Sequence, residues 1–335
     1  MKIPFEIEFR KKYYKLLDEV FDSNFLSEGK MVDRFEDLFS EYTKLYCAAV
    51  CNGGAALEAI LRYIDIKNKD VIVQSNNFIC DVFAVKKNNG NVIFADCSKK
   101  DLCLDLQSLK DKVTQNTKAV ILTHIGGHLS FEISEIADFC EKQNIYLIED
   151  CAHSHGATYN ERHAGSFGFA GFYSFYSTKT MPLGEGGMVV SKNKDIIDWV
   201  KKYRNYGKFE YKIEGFNCRM NEITAAFGII QMERLPMILE WKNQLAEKYN
   251  QIFNNRIKFP KGMKSGYYKY IIFDTKLKEE TGKVFGEPCH IICKSNINLP
   301  NTEWVAEHHC CPPIYYGWEH FDKSVEEIRD ILLVR

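Results

Sequence analysis

Apolar runs and stretches of helical periodicity alternate along most of this chain. Val32, Phe35, Leu38 and Phe39 recur at helical spacing and predict an amphipathic helix over 31–46. A second helix is expected over 55–63, opening directly behind Gly53-Gly54. Val71-Ile72-Val73-Gln74, Val92-Ile93-Phe94-Ala95 and Ala119-Val120-Ile121-Leu122-Thr123 read as strands, followed by a helix over 133–143 and a strand over 145–148. Continuous apolar strands separated by helices indicate an α/β fold, with a mainly parallel sheet covered on both faces. Residues 220–253 are strongly helical, with Leu235-Pro236 as a kink or break. That helix is expected to join a large domain, residues 1–235 with an N-terminal helical segment, to a smaller C-terminal α+β domain, residues 236–335.

Composition narrows the functional classes. The 335 residues are 45% hydrophobic, enough for one large domain and a smaller one. Net charge is −1, from 44 basic and 45 acidic side chains, so there is no electrostatic footprint for nucleic acid. No apolar stretch approaches membrane-spanning length, and the first eight residues, MKIPFEIE, lack the apolar core of a signal peptide. The 12 cysteines are scattered, several in apolar strands (Cys47, Cys51, Cys80, Cys293). Without an export signal they read as reduced core residues of a cytoplasmic protein.

Candidate chemistry is concentrated in two places. The apolar run Ile145-Tyr146-Leu147-Ile148 ends in Glu149-Asp150, and Ser174-Phe175-Tyr176-Ser177-Thr178-Lys179 is followed by Gly184-Glu185-Gly186-Gly187. Taken singly, Lys179 is an ordinary loop lysine and Asp150 an ordinary strand-end aspartate. Together they are the two groups that pyridoxal phosphate needs: an amine to condense with its aldehyde, and a carboxylate to keep its pyridine nitrogen protonated. Asn52-Gly53-Gly54-Ala55 is a glycine turn at a helix start, where the N–H groups of Gly54 and Ala55 suit a phosphate, although a plain helix entry would look the same.

These motifs carry a resemblance. The chain resembles the DegT/DnrJ-type sugar aminotransferases, a branch of the aspartate aminotransferase fold (fold type I), from about residue 29 to the C-terminus and most strongly over 118–228. Three segments bear it in the family's order: Glu149-Asp150-Cys151-Ala152-His153-Ser154-His155-Gly156-Ala157, the Lys179 segment, and Gly215-Phe216-Asn217-Cys218-Arg219-Met220. The resemblance implies that the large domain binds pyridoxal 5'-phosphate. It implies a phosphate contact at Ser174, Phe78 stacked on one face of the pyridine ring, and His153 on the other side of the cofactor. Asn217 is implied to reach across a homodimer interface to the partner's cofactor phosphate, so that two subunits share each active site. Arg219, whose planar fork suits phosphate oxygens, and Glu185, read as chiefly structural, are candidates for the substrate. His124 and His155 are candidates only to support the site from behind.

The implied reaction moves nitrogen from an amino acid, with glutamate as the family's donor, to a keto-sugar, most often nucleotide-linked, for amino-sugar and surface-polysaccharide biosynthesis. Two rivals use the same scaffold: a sugar dehydratase, in which the family's lysine is replaced by histidine, and a cofactor-binding regulator without turnover. The chain departs from the family at Gly54, where Thr or Ser is usual, and in a short region around 282–303, which points to an unusual acceptor. His308-His309-Cys310-Cys311 has metal-ligand residue types, but neighbours in an extended segment point to opposite sides, so no metal site is expected. The glycines of 165–171 lack dinucleotide-binding spacing and read as a tight turn into the strand before Lys179.

Overall fold

The computed structural model describes residues 4–334; residues 1–3 and 335, the outermost ends of the two expected domains and the start of the N-terminal segment, lie outside the described residues. Seven strands form the central sheet: β1 (Tyr46–Val50), β2 (Asp70–Gln74), β3 (Asn91–Ala95), β4 (Thr117–Thr123), β5 (Tyr146–Asp150), β8 (Ala170–Ser174) and β9 (Gly187–Ser191). A small hairpin, β6 (Thr158–Tyr159) and β7 (Arg162–His163), lies between β5 and β8. The order is β1-β9-β8-β5-β4-β2-β3; β9 runs antiparallel to both neighbours and the other pairings are parallel. The expected mainly parallel sheet is therefore present. Its strands are apolar on both faces because helices cover both.

The sequence reading missed some elements and misplaced the ends of others. The helix expected over 31–46 is α2 (Lys30–Thr43), following α1 (Ile7–Ser23). It stops at Lys44, which is left-handed (φ 62°), and Tyr46 already pairs with Ser191. Helices α3 (Gly53–Tyr63) and α4 (Cys80–Lys87) flank the sheet, followed by α5 (Leu106–Lys112), α6 (Ile133–Lys142) and α7 (Lys194–Tyr203). The long helix α8 spans Glu222–Ile252 without a break, with Pro236 inside it. Its first half packs Ala225, Ala226, Ile229, Ile230 and Leu235 into the core beneath the sheet. Its second half turns Leu245, Ala246 and Tyr249 to a separate core with Tyr270, Ile272, Ile314, Trp318, Ile328 and Leu332. His308 is the last residue of the helix Pro300–His308, not part of an extended run; only His309–Cys310 is strand, paired with Ile272–Phe273. No helix among the described residues is long and apolar enough to cross a membrane.

Two side chains of β5 set up everything at its carboxyl end. Successive strand residues point to opposite faces, so Glu149 and Asp150 serve different layers. Glu149 is fully buried and is met by four donors. His124 Nε2 and Gly165 N–H reach one oxygen, each at 2.8 Å, and Phe167 and Gly168 N–H reach the other, each at 2.7 Å. The Ser130 N–H donates to His124 Nδ1 at 3.1 Å, which leaves the Nε2 proton for Glu149. The glycine turn over 165–171 is thus wrapped around a carboxylate.

Burial raises the Glu149 pKa, but His124 and the amides of Gly168 and Gly165 outweigh it and hold the carboxyl below its ordinary value. A depressed carboxyl contributes stability that is present above about pH 4.3 and lost as pH falls through the folded value. Glu149→Gln would turn an NH2 donor toward groups that are already donors. The variant should lose about 3 kcal/mol at neutral pH by denaturant unfolding, and its deficit should shrink on acidification as the wild-type carboxylate is protonated. An unchanged unfolding midpoint would contradict this account.

Candidate active site

The carboxyl ends of β1, β5 and β8 lie along one edge of the sheet, which is where ligands sit in open α/β folds. Register aligns them: Val50 and Ser174 both pair with Gly187, and Asp150 pairs with Thr123. A cavity of about 580 Å³ opens there between the starts of α3 and α4. Gly54, Phe78, Asp150, His153, Ser174, Lys179 and Glu185 all line it. Three other residues singled out from the sequence do not. Ala55 does not line it, and its N–H is taken by Asn52, whose Oδ1 caps α3 at 2.8 Å. Asn217 and Arg219 lie on a separate exposed loop, where Asn217 bridges to Asn205 and the Arg219 guanidinium donates to Asn205 Oδ1 at 2.5 Å.

Each lining group has a stated environment. Asp150 is buried and accepts from the Ala152 N–H at 2.8 Å and the Thr123 hydroxyl at 3.4 Å. Burial raises its pKa, opposed by the Ala152 amide and the Lys179 amine. Lys179 is half-buried, its Nζ 4.9 Å from the Tyr268 ring centroid, and burial lowers its pKa to about 8 against the pull of Asp150. His153 stacks on Tyr268 with ring centroids 4.1 Å apart, and desolvation, with Lys179 and Lys269 nearby, pushes it well below the usual imidazole range. It is neutral at physiological pH. Phe78 is 73% exposed although it lines a cavity, so one flat aromatic face is free for a partner.

The supporting histidines lie outside the cavity. His124 is held by Glu149, and His155 packs against Tyr173 and Phe175 with neither ring nitrogen hydrogen-bonded among the described residues. Burial drives His155 to about 3, so it is neutral too. The sequence reading missed Tyr268, whose hydroxyl lies 3.3 Å from Thr178 Oγ1 and whose ring faces both His153 and Lys179. It also missed Asp81 and Phe285, which line the same cavity. The aromatic run Tyr267-Tyr268-Lys269-Tyr270 was the available signal for the first; Asp81 and Phe285 had none.

The residues present fit pyridoxal phosphate. At the start of α3, Gly53 and Gly54 have N–H groups with no acceptor among the described residues. A Cβ on Gly53 would fall 3.0 Å from Ser174 Cβ, and one on Gly54 3.0 Å from Cys80 Sγ. Glycine therefore lets the helix end close against β8 and α4 and present bare amides to an anion. An amine, a carboxylate and a free aromatic face share the same cavity.

If burial governs Lys179, its amine in the cofactor-free protein should titrate near pH 8, whereas exposed lysines titrate near about 10.4. Competitive labelling of amines across pH, read by peptide mapping, measures this. A Lys179 that labels with the exposed lysines would remove the desolvated setting.

Comparison with known proteins places this geometry. Residues 8–285 match the family described as "DegT/DnrJ/EryC1/StrS aminotransferase family". A GDP-perosamine synthase of Vibrio cholerae is 34% identical over 243 residues, covering 70% of this chain and 66% of that protein. A GDP-perosamine synthase of Escherichia coli O157:H7 is 30% identical over 267 residues, covering 77% and 73%. In fold, the chain is similar to a DegT DnrJ EryC1 StrS aminotransferase from Brucella abortus, with a TM-score of 0.89, 22% identity and 96% of each chain covered. Similarity over most of the chain, in sequence and in fold, makes it a member of the DegT/DnrJ/EryC1/StrS aminotransferase family.

Proposed function

We propose that this protein uses pyridoxal 5'-phosphate to transfer the amino group of an amino acid, glutamate in the first instance, to the keto group of a nucleotide-linked sugar, in the cytoplasm, for amino-sugar and polysaccharide biosynthesis. The observation that carries the reading is the Lys179 amine and the Asp150 carboxylate lining one cavity at the carboxyl edge of the sheet. Relatives named GDP-perosamine synthase and dTDP-3-amino-3,6-dideoxy-alpha-D-galactopyranose transaminase support the sugar acceptor. The presence of Lys179 weighs against the dehydratase alternative.

When bound, the cofactor supplies an electron sink for the pair released from the substrate carbon. The chain's residues do the rest. The Gly54 amide and the Ser174 hydroxyl would hold the phosphate group, Phe78 would offer a face to the ring, and Asp150 would keep a proton on the ring nitrogen. Lys179 would hold the cofactor at its aldehyde carbon and, when freed, is the group in the cavity able to move a proton at the substrate carbon as general acid and base. A lysine near pKa 8 suits both tasks, because about a tenth of it is unprotonated amine at neutral pH, far more than of an exposed lysine. His153, being neutral, adds no positive charge beside the ring. Glu185 is exposed and lines the same cavity, where it could meet the substrate.

The working unit in this reading is a homodimer. Asn217 and Arg219 lie away from their own chain's cavity, on a loop that exposes Phe209 (87%), Tyr211 (68%) and Phe216 (65%). Such a patch suits a second copy of the chain. A two-fold dimer would bring each Asn217 to the partner's phosphate site, and Arg219 to the anionic acceptor. The division into a large domain, residues 1–235, and a small one, residues 236–335, belongs to the same reading; it is supported by the two halves of α8 facing two cores.

Borohydride reduction of the cofactor-loaded protein, followed by peptide mapping, should place the pyridoxyl adduct on Lys179. An adduct on another lysine would sink the assignment. For the dimer, Lys179→Ala and Asn217→Ala homodimers should each be impaired, and mixing them with subunit exchange should restore activity, because one site of the mixed dimer carries neither lesion. No recovery despite demonstrated exchange would rule shared sites out.

A further inference from the structure

Asp81 is a second buried carboxyl in the cavity. It stands in the first turn of α4, is 2% exposed, and lines the same space as Asp150 and Lys179. No cation lies within ion-pair distance of either aspartate among the described residues. The groups that bear on Asp81 are Asp150 from β5, Lys179 from the loop after β8, its neighbour Cys80, and Cys289 from the segment packed outside α4. Two ionised carboxylates here would face one half-buried amine, leaving an uncompensated charge in a desolvated place.

The two aspartates are not equivalent. Asp150 accepts a backbone N–H and a hydroxyl. Asp81 receives one hydrogen bond, from Asn77 Nδ2 to Oδ2 at 2.5 Å, and its other oxygen has no donor among the described residues. Asn77 cannot turn over to take a proton instead, because its own Oδ1 already accepts the Phe78 N–H at 2.6 Å. The helix start favours negative charge at Asp81, but no backbone amide reaches its oxygens, so that pull is weak beside a second carboxylate.

We propose that Asp81 serves the site as a neutral carboxylic acid: the two buried aspartates hold one proton between them, it resides on Asp81, and Asp150 is left as the single anion. Burial first, and then Asp150, raise Asp81 well above the ordinary carboxyl range despite the Asn77 hydrogen bond and Lys179, whereas the rise of Asp150 is opposed by the Ala152 amide, Lys179, His124 and the Thr123 hydroxyl. Asp81 is then a positioning residue. It keeps the negative charge of the cavity at one point, opposite the ring nitrogen, and its ionisation would add a competing anion. The role of this charge rests on the proposed cofactor site; the protonation itself does not.

The sign of the pH effect follows. A carboxyl raised in the folded state keeps a proton that the unfolded chain has released. Stability therefore falls as pH rises from about 4 toward the folded value. Asp81→Asn, neutral at every pH, removes that penalty. The cofactor-free variant should melt higher than wild type at pH 8, with the gap closing toward pH 4. A merely structural carboxylate would make the variant less stable, or equal, across the range. Infrared spectroscopy of the cofactor-free protein gives a direct readout. Wild type at pH 8, above the value of about 6 to which burial raises Asp101, should show the carbonyl stretch of an un-ionised carboxylic acid, and Asp81→Asn should lose it. A wild-type spectrum without the band, or a band unchanged in Asp81→Asn, overturns the proposal. In the loaded enzyme, the alkaline fall of kcat/KM in wild type should be missing from Asp81→Asn; an identical alkaline limb would remove the positioning role. Because the infrared and melting arms need no cofactor, they stand even if the pyridoxyl adduct maps away from Lys179.

Discussion

The fully buried charge of Glu149 constrains this molecule more than any other single group. A carboxylate cannot be left bare in a protein core, so the chain must bring donors to it. It does so with one imidazole and three backbone amides. Those amides belong to the turn that leads into β8, the strand that delivers Ser174 and then Lys179. Meeting the needs of Glu149 thereby fixes the distance between Asp150, its neighbour on β5, and the Lys179 segment. His124, Glu149 and Cys151 have potential ligand atoms within 4.8 Å of one another. Their lone pairs and protons are nonetheless already engaged, Glu149 with its four donors and the Cys151 thiol with the Glu149 carbonyl at 3.5 Å. The cluster is a hydrogen-bond hub.

The same device recurs where elements must be tied across long sequence distances. Asp96, after β3, accepts the Asn301 N–H at 3.0 Å and both the N–H and the hydroxyl of Thr302 at 2.7 Å, anchoring the start of the helix Pro300–His308. Glu222, at the start of α8, accepts the amides of Gly29, Met31 and Val32 and so caps α2. Lys242 works in the opposite sense. It is buried on the second half of α8 and burial lowers it to about 7; its Nζ donates to the Thr180 hydroxyl at 3.2 Å and the Tyr267 carbonyl at 3.0 Å. It joins the loop of Lys179 to the segment of Tyr268, so both sides of the cavity are held by one helix that also spans two cores.

The parts legible in the sequence were those written in local pattern. The strands over 71–74, 92–95, 119–123 and 145–148 showed as apolar runs, and Lys179, Asp150 and the glycine turn showed as motifs. Residues 46–50 were hidden because they are short and continue a helical pattern; only pairing with β9 makes them a strand. Pro236 suggested a break that tertiary packing overrides, since both halves of α8 have a core to bury against. Ala55 was offered as a phosphate donor because a glycine turn leaves amides free, yet the Asn52 side chain, a local cap, takes that N–H. Tyr268 and Phe285 come from far along the chain and reach the site only through the packing of the C-terminal part against the sheet edge. No window of sequence holds that information.

The electrostatics of the cavity follow from burial acting on opposite charges at once. Desolvation pushes the Lys179 amine down and the Asp150 carboxyl up, so each is drawn toward its neutral form. Their mutual attraction opposes both shifts. A site built this way has little net field of its own, and its charge state is settled by what enters it. A ring nitrogen carrying a proton would stabilise Asp150 as the anion, where the Ala152 amide already favours it. Condensation at Lys179 would remove the amine as a competing partner for that anion. The histidines nearby stay uncharged because burial costs an imidazolium more than an imidazole, which keeps positive charge from accumulating beside Lys179. Burial thus draws both Lys179 and Asp150 toward their neutral forms, and it does so through the same close packing that holds β5, β8 and α8 together.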